Sequence, residues 1–270
     1  MAKILAFIPT RERNTVHIPA NILAPFVDKI VVMSKGADTT GLPDNSTVIE
    51  QSWTGLQGVQ EVGDVMAYEE GFDYILQADD DIRFPPELVA NLIQLMEDNP
   101  GLGACCSLSS VQYYWNREVQ SNKHFLVAPF PSQLTLMRAK LVPELQQAFG
   151  TVYGGLGTME DVAKGVHLWS LGYPSVYFRA DEELVHNVFI PRLKKSKEMG
   201  GQPISERSRM MHESVEYLQK FVGPDNVLKS AKLGYRKDGQ ATFRLRWNWD
   251  WMCGNVKQPV GYEDSKGRTF

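Results

Sequence analysis

Apolar residues gather in short runs along the first half of the chain, and between the runs they recur three and four apart. Ile4–Ile8 is such a run. It is ended by Pro9 and followed by the polar stretch Thr10-Arg11-Glu12-Arg13-Asn14, the pattern of a buried strand that empties into a loop. Lys29–Ser34 repeats it, ended by Gly36-Ala37-Asp38, and residues 19–28 between the two predict a short helix, so the chain opens as a βαβ unit. Residues 46–50 read as a third strand. From Gly58, Val59, Val62, Val65 and Met66 keep helical spacing up to a C-terminal cap at Gly71. Residues 72–77 return to strand character and run into Asp79-Asp80-Asp81. Leu88, Val89, Leu92, Leu95 and Met96 then form a helical stripe between Pro86 and Asn99-Pro100, and strand-like 103–108 follows.

The middle is less regular. Strands are expected at 125–129 and 133–137. A helix is expected from about Met159, carrying Val162, Val166 and Trp169 to the core and ending at Gly172, with one more strand at 175–179. Residues 191–202, with three lysines and two glycines, read as a mobile loop, and 205–222 as a helix. Alternating strands and helices predict an α/β fold with a mainly parallel sheet covered by helices on both faces. The expected division is a first domain over 1–190 and a C-terminal extension over 191–270.

Composition narrows the class. At 270 residues, 43% apolar and 22% charged, the chain is long enough for a substantial core and is neither disordered nor collagen-like. Cys105, Cys106 and Cys253 supply no paired metal spacing, which predicts a reducing compartment. No apolar run reaches the roughly 20 residues needed to cross a bilayer, so the expected location is the cytoplasm, with no membrane partner. The net charge of −4 is uneven: residues 1–180 hold 12 Lys+Arg against 20 Asp+Glu, whereas 181–270 hold 16 against 12. A basic tail on an acidic body suits either a solvated face or an anionic partner.

Chemistry concentrates at three places. Three consecutive carboxylates after an apolar strand repel one another unless a cation compensates them. In an extended conformation Asp79 and Asp81 would point the same way, so the first and third could share a hard divalent cation; the other reading is a solvated acidic turn before a helix. Further on, Gly154, Gly155 and Gly157 precede Met159-Glu160-Asp161, a flexible turn followed by acids at a helix start. In the tail, Trp247, Trp249 and Trp251 alternate with Asn248 and Asp250. On a strand their indoles would share one face, either to stack on a ligand with Arg244 and Arg246 nearby or to cap the core.

With these residues in view, the chain over roughly 3–190 resembles glycosyltransferases of the GT-A fold, in particular the family-two group that uses nucleotide-diphosphate sugars. The resemblance implies that Pro9, Thr10, Arg11 and Arg13 belong to the first nucleotide loop and that Asp38 contacts the base. It implies that Asp80 faces the ribose in place of a simple DxD, and that Asp81 holds the metal, with Asp79 assisting either role. It places Gly155 and Gly157 near the donor, makes Asp161 of the Glu160-Asp161 pair the catalytic base, and sets His186 to complete the metal shell with His212 as its substitute. The implied cofactors are Mn2+ or Mg2+ and a nucleotide-sugar donor, a UDP-sugar first. The implied reaction is inverting transfer to an acceptor hydroxyl, in some phage members of the family a hydroxylated DNA base.

Two other readings stand beside it. A sugar nucleotidylyltransferase usually needs a glycine-rich basic loop after the first strand, and residues 9–14 hold no glycine. A nucleic-acid-binding module without catalysis would use the basic aromatic tail.

Overall fold

A computed structural model of the chain describes residues 2–51, 59–107, 125–127, 133–149, 160–178, 186–187, 198–199, 202–235, 241–248 and 250–252. The strands of the first part are β1 (Ile4–Arg11), β2 (Lys29–Lys35), β3 (Ser46–Glu50), β4 (Tyr74–Ala78), β5 (Ile82–Arg83), β6 (Ala104–Ser107), β7 (Phe125–Val127), β8 (Leu134–Arg138) and β9 (Ser175–Phe178). The helices among them are α1 (His17–Leu23), α2 (Val59–Glu69), α3 (Pro86–Asp98), α4 (Val142–Phe149) and α5 (Glu160–Ser170).

Among the described residues eight strands form one sheet, in the order β3-β2-β1-β4-β8-β6-β9-β7. The ladders β3-β2, β2-β1, β1-β4 and β6-β9 are parallel, while β8 runs antiparallel between β4 and β6, and β7 antiparallel to β9. The sheet is therefore mixed, with its parallel half built from the N-terminal run of βα units.

The apolar run of β1 serves both faces at once. Ile4, Ala6 and Ile8 pack with α1 and α3 in one cluster, and Leu5 and Phe7 pack with α2, α4 and α5 in another. Alternate side chains leave a strand on opposite faces, so a strand covered on both sides shows a continuous apolar run. Gly63 of α2 allows close contact with the sheet, because a Cβ there would lie 2.5 Å from the Phe7 ring. Pro9 lies inside β1 rather than ending it. The pairing of β1 with β4 stops at Phe7, so beyond it β1 is paired on one side only, where a missing N–H is tolerated.

The chain continues through β10 (His186–Asn187), β11 (Glu198–Met199), β12 (Gln202–Pro203), α6 (Ile204–Gln219), β13 (Leu228–Tyr235) and β14 (Ala241–Trp247). Most of the predicted 191–202 loop lies outside the described residues, but Glu198–Met199 and Gln202–Pro203 pair as a short antiparallel ladder. A third cluster joins this region to the first part: Val162, Val166 and Trp169 of α5 pack with Met211, Leu218, Leu228, Trp247 and Met252. The expected row of three indoles on one strand does not form. β14 ends at Trp247, which is buried, and Trp251 lies in a helical turn with its ring 6.2 Å from that of Trp169; Trp249 is outside the described residues. Both described indoles serve the core.

His167 sits in the seam between α5 and α6. Its Nδ1 lies 3.2 Å from the Tyr217 hydroxyl, and its ring meets Phe221 edge-on. Burial pulls its pKa down, against a smaller upward pull from Glu144, so folding favours its neutral form. Protonation then favours the unfolded chain. The stability contributed is complete above the ordinary histidine pKa of about 6.5 and is lost as pH falls from there toward the lowered folded value. We expect the unfolding temperature to drop over that window in the natural protein and the drop to shrink in His167→Gln, read by calorimetric scans at closely spaced pH values. Among the described residues no helix is long and apolar enough to cross a membrane.

Candidate active site

β1 and β4 are parallel neighbours, but the chain leaves β1 toward β2 on its other side. Their C-terminal ends thus flank a point where the strand order reverses, the place where open α/β sheets bind ligands. β1 delivers Thr10, Arg11 and Arg13 there, and β4 delivers Asp79, Asp80 and Asp81.

Asp80 turns back under the loop that follows β1. The Thr10 hydroxyl donates to its Oδ2 at 2.6 Å, and Arg13 Nη1 donates to its Oδ1 at 2.5 Å. The same Arg13 nitrogen lies 2.7 Å from Asp81 Oδ2, so two carboxylates converge on one cationic point. Asp80 and Asp81 occupy a turn rather than an extended strand, which is why these two meet, and not the Asp79–Asp81 pair that strand alternation predicts. Asp79 is exposed, and its amide donates to the Gln133 carbonyl.

Burial raises the pKa of Asp80, with a further push from Asp81, against the opposing pull of the Thr10 hydroxyl and the Arg13 charge. Burial also acts against the charge on Arg13, but Asp80 and Asp81 more than offset it and hold the guanidinium firmly cationic. The loop itself is shaped for this contact. Glu12 adopts φ +50, uncommon for a residue with a side chain, and its amide donates to the Lys35 carbonyl at 3.0 Å. The next residue, Arg13, is thereby turned over the strand ends, and its carbonyl accepts from the Asp38 amide at 2.9 Å.

Asp38 is exposed at the end of β2, and its carboxylate accepts from the Thr40 amide at 2.9 Å. The Thr40 hydrogen bonds, and secondarily the positive charge of His17, lower its pKa and favour the ionised form. Pro9 and Arg11 are half-buried, and the Arg11 guanidinium reaches Glu12 only at 3.7 Å.

The backbone brings two more predicted residues into relation with this end of the sheet. β10 pairs antiparallel with β5, setting His186 opposite Arg83, two residues beyond Asp81. α5 starts at Glu160, so Glu160 and Asp161 occupy its first turn, where backbone amides favour negative charge. Gly154, Gly155, Gly157 and the lysines Lys194, Lys195 and Lys197 lie outside the described residues. His212 is exposed on α6.

Among the described residues no three His, Cys, Asp or Glu side chains converge as metal ligands. The chemistry of the described pair nevertheless suits a cation: two carboxylate oxygens already meet on the positively charged Arg13. Cys105 and Cys106 are buried thiols, and burial pushes the Cys105 pKa well up, away from the nucleophilic form.

The sequence reading missed one feature beside the site. Lys164 of α5 and Asp64 of α2 form an ion pair at 2.5 Å with side chains 1% and 0% exposed. A charged residue in an apolar stripe gives no sign of burial when its partner lies a hundred positions away.

No family model and no curated protein matches the chain. Solved structures do. TarS of S. aureus, residues 1–349, is 14% identical with a TM-score of 0.50, the match covering 80% of this chain and 65% of that one. The mannosyltransferase PcManGT from Pyrobaculum calidifontis, solved with GDP-Man and Mn2+, is 15% identical with a TM-score of 0.50, covering 81% of this chain and 64% of that one. The chain thus spans slightly less than two thirds of either protein. Identity at this level bears on architecture alone, and the architecture is the Rossmann-like sheet of the GT-A glycosyltransferases.

Proposed function

We propose that the protein is a metal-dependent glycosyltransferase that moves a sugar from a nucleotide-diphosphate donor, a UDP-sugar first, to an acceptor hydroxyl with inversion. The observation that carries this reading is the convergence of Thr10, Arg13, Asp80 and Asp81 at the strand-order reversal, in a fold shared with a protein solved with GDP-Man and Mn2+. Asp38 and the loop from Pro9 to Arg13 hold the base and ribose, with Asp80 on the ribose side. Asp81, with Asp79 and His186, is suited to hold a divalent cation, which when bound supplies charge neutralisation for the diphosphate. Gly155 and Gly157 let the backbone approach the donor.

Asp161 takes the proton from the acceptor hydroxyl as its oxygen bonds to the anomeric carbon. The bond from that carbon to the diphosphate oxygen breaks in the same step, and the electron pair leaves with the nucleotide. Glu160 shares the first turn of α5 and adds to the negative field that favours proton removal. Screening nucleotide sugars for thermal stabilisation with and without manganese tests the reading: a hit that requires manganese supports it, and no stabilisation by any nucleotide or nucleotide sugar contradicts it.

For the acceptor, the excess of positive charge over residues 181–270 favours an anionic partner, and DNA carrying a hydroxymethylated base combines that charge with a hydroxyl. Acceptor affinity should fall steeply between about 50 and 200 mM salt while donor affinity changes little. The double substitution Lys194→Glu and Lys195→Glu should raise the acceptor KM alone. Indifference of acceptor use to both would favour a neutral saccharide.

A further inference from the structure

The pair Lys164–Asp64 is the most deeply buried charge in the described part of the protein. Asp64 spends both oxygens: Oδ2 accepts from Lys164 Nζ at 2.5 Å, and Oδ1 accepts from Gln77 Nε2 at 2.8 Å. Gln77 lies in β4, opposite Phe7 of β1 on one side and Thr135 of β8 on the other, two residues before Asp79. Glu61, one turn before Asp64 on α2, feels both members of the pair, its pKa raised by burial and by Asp64 and lowered by Lys164. Lys164 follows Asp161 by three residues and Glu160 by four in the same helix, within about one turn of its start.

An ion pair of this kind is a poor way to stabilise a fold. Removing two charges from water costs about what their attraction returns, and an apolar pair of the same volume does as well or better. What it supplies is direction, because its three members must meet at hydrogen-bond distances and angles, whereas apolar contacts are non-directional.

We infer that Lys164 and Asp64 are positioning residues that fix the helix carrying Glu160 and Asp161 to the strand that delivers Asp79–Asp81, and so set the distance between the catalytic base and the donor's diphosphate. This rests on the proposed role of Asp161. Lys164 is one helical turn, roughly 5.4 Å, from the start of α5, so a shift of its anchor moves Asp161 with it. A misplacement of about 1 Å at a reacting group can cost about 100-fold in rate.

The test is the double variant Asp64→Asn/Lys164→Met, which removes both charges, keeps side-chain volume, and leaves an amide oxygen on α2 able to accept from Gln77. Its unfolding temperature should stay close to that of the natural protein, the gain from removing two buried charges offsetting the amide donor that Asp64→Asn leaves facing the apolar side chain of Lys164→Met. Transfer kcat should fall at least 10-fold, with donor KM within about threefold. Amide hydrogen exchange over residues 160–166 should quicken at least 10-fold, while β13 and β14 are unchanged. Unchanged exchange over 160–166, or unchanged kcat, overturns the inference.

Should the double variant not fold, Gln77→Met leaves the ion pair whole and cuts only its tie to β4. Both readouts should then change about threefold, and a natural value in either overturns the inference. Asp161→Asn, measured alongside, separates the two levels. If it keeps full turnover the base assignment fails, and exchange over 160–166 alone decides whether the pair anchors the helix.

Discussion

Replacing Asp161 by Asn should lower transfer by roughly 100-fold or more while leaving nucleotide-sugar binding intact, the scale on which a positioned general base acts. That loss corresponds to about 2.7 kcal/mol of transition-state stabilisation. Asn keeps the shape of the side chain and its hydrogen-bonding oxygen but cannot take the acceptor proton. The proposed donor contacts lie at the ends of β1, β2 and β4 and in the backbone at Gly155 and Gly157, none of them on the Asp161 carboxylate, so donor affinity should change little. Single-turnover rates together with donor titrations read the two quantities separately. Full activity in the variant would remove Asp161 from the mechanism. Retention of the donor's anomeric configuration in the product, read by NMR, would independently refute a single displacement.

Asp81→Asn should be as severe by a different route. Asp81 shares the Arg13 nitrogen with Asp80 and is the more exposed of the two, at 32% against 8%. It is the carboxylate we propose receives the cation, since Arg13 is its one described partner whereas Asp80 is held by both Thr10 and Arg13. Loss of Asp81 should cost more than about 100-fold in transfer, exceeding the 10- to 100-fold typical of residues that merely support metal ligands. It should also abolish the dependence of nucleotide affinity on manganese. Asp80→Asn should instead weaken nucleotide binding and leave that dependence in place. If the two variants behave alike, the division of labour between these neighbours is wrong.

Much of this arrangement is legible in the chain itself. The two-sided burial of β1, β2 and β4 appears as continuous apolar runs, and the ends of α2 and α5 appear as Gly71 and Gly172, found at φ +74 and +81. The loop after β1 and the acid run after β4 are legible because each follows an apolar strand, whereas the role of Glu160-Asp161 at the start of α5 comes from the resemblance to GT-A glycosyltransferases.

The remainder has physical reasons for being hidden. Asp79–Asp81 leave the strand in a turn, so period-two alternation no longer governs which carboxylates meet. β13 conceals itself because its buried residues, Leu228, Ala231 and Gly234, stand three apart, with a register slip between Leu228 and Ser230. α4 has only eight residues and begins with Val142-Pro143, too short for its stripe of Val142, Leu145 and Ala148 to stand out. Lys164 looks like any exposed helical lysine until the topology lays α5 beside Asp64, since charged side chains are almost never fully buried unless paired.

The central claim is that the ends of β1 and β4 bind a nucleotide diphosphate together with a divalent cation. Calorimetric titration of UDP and GDP into the intact protein, once in manganese and once in EDTA, tests it most directly. At least one of the two should bind in manganese, with an affinity that falls steeply on chelation. Equal affinity in the two buffers, or no binding of either nucleotide in manganese, would contradict the claim.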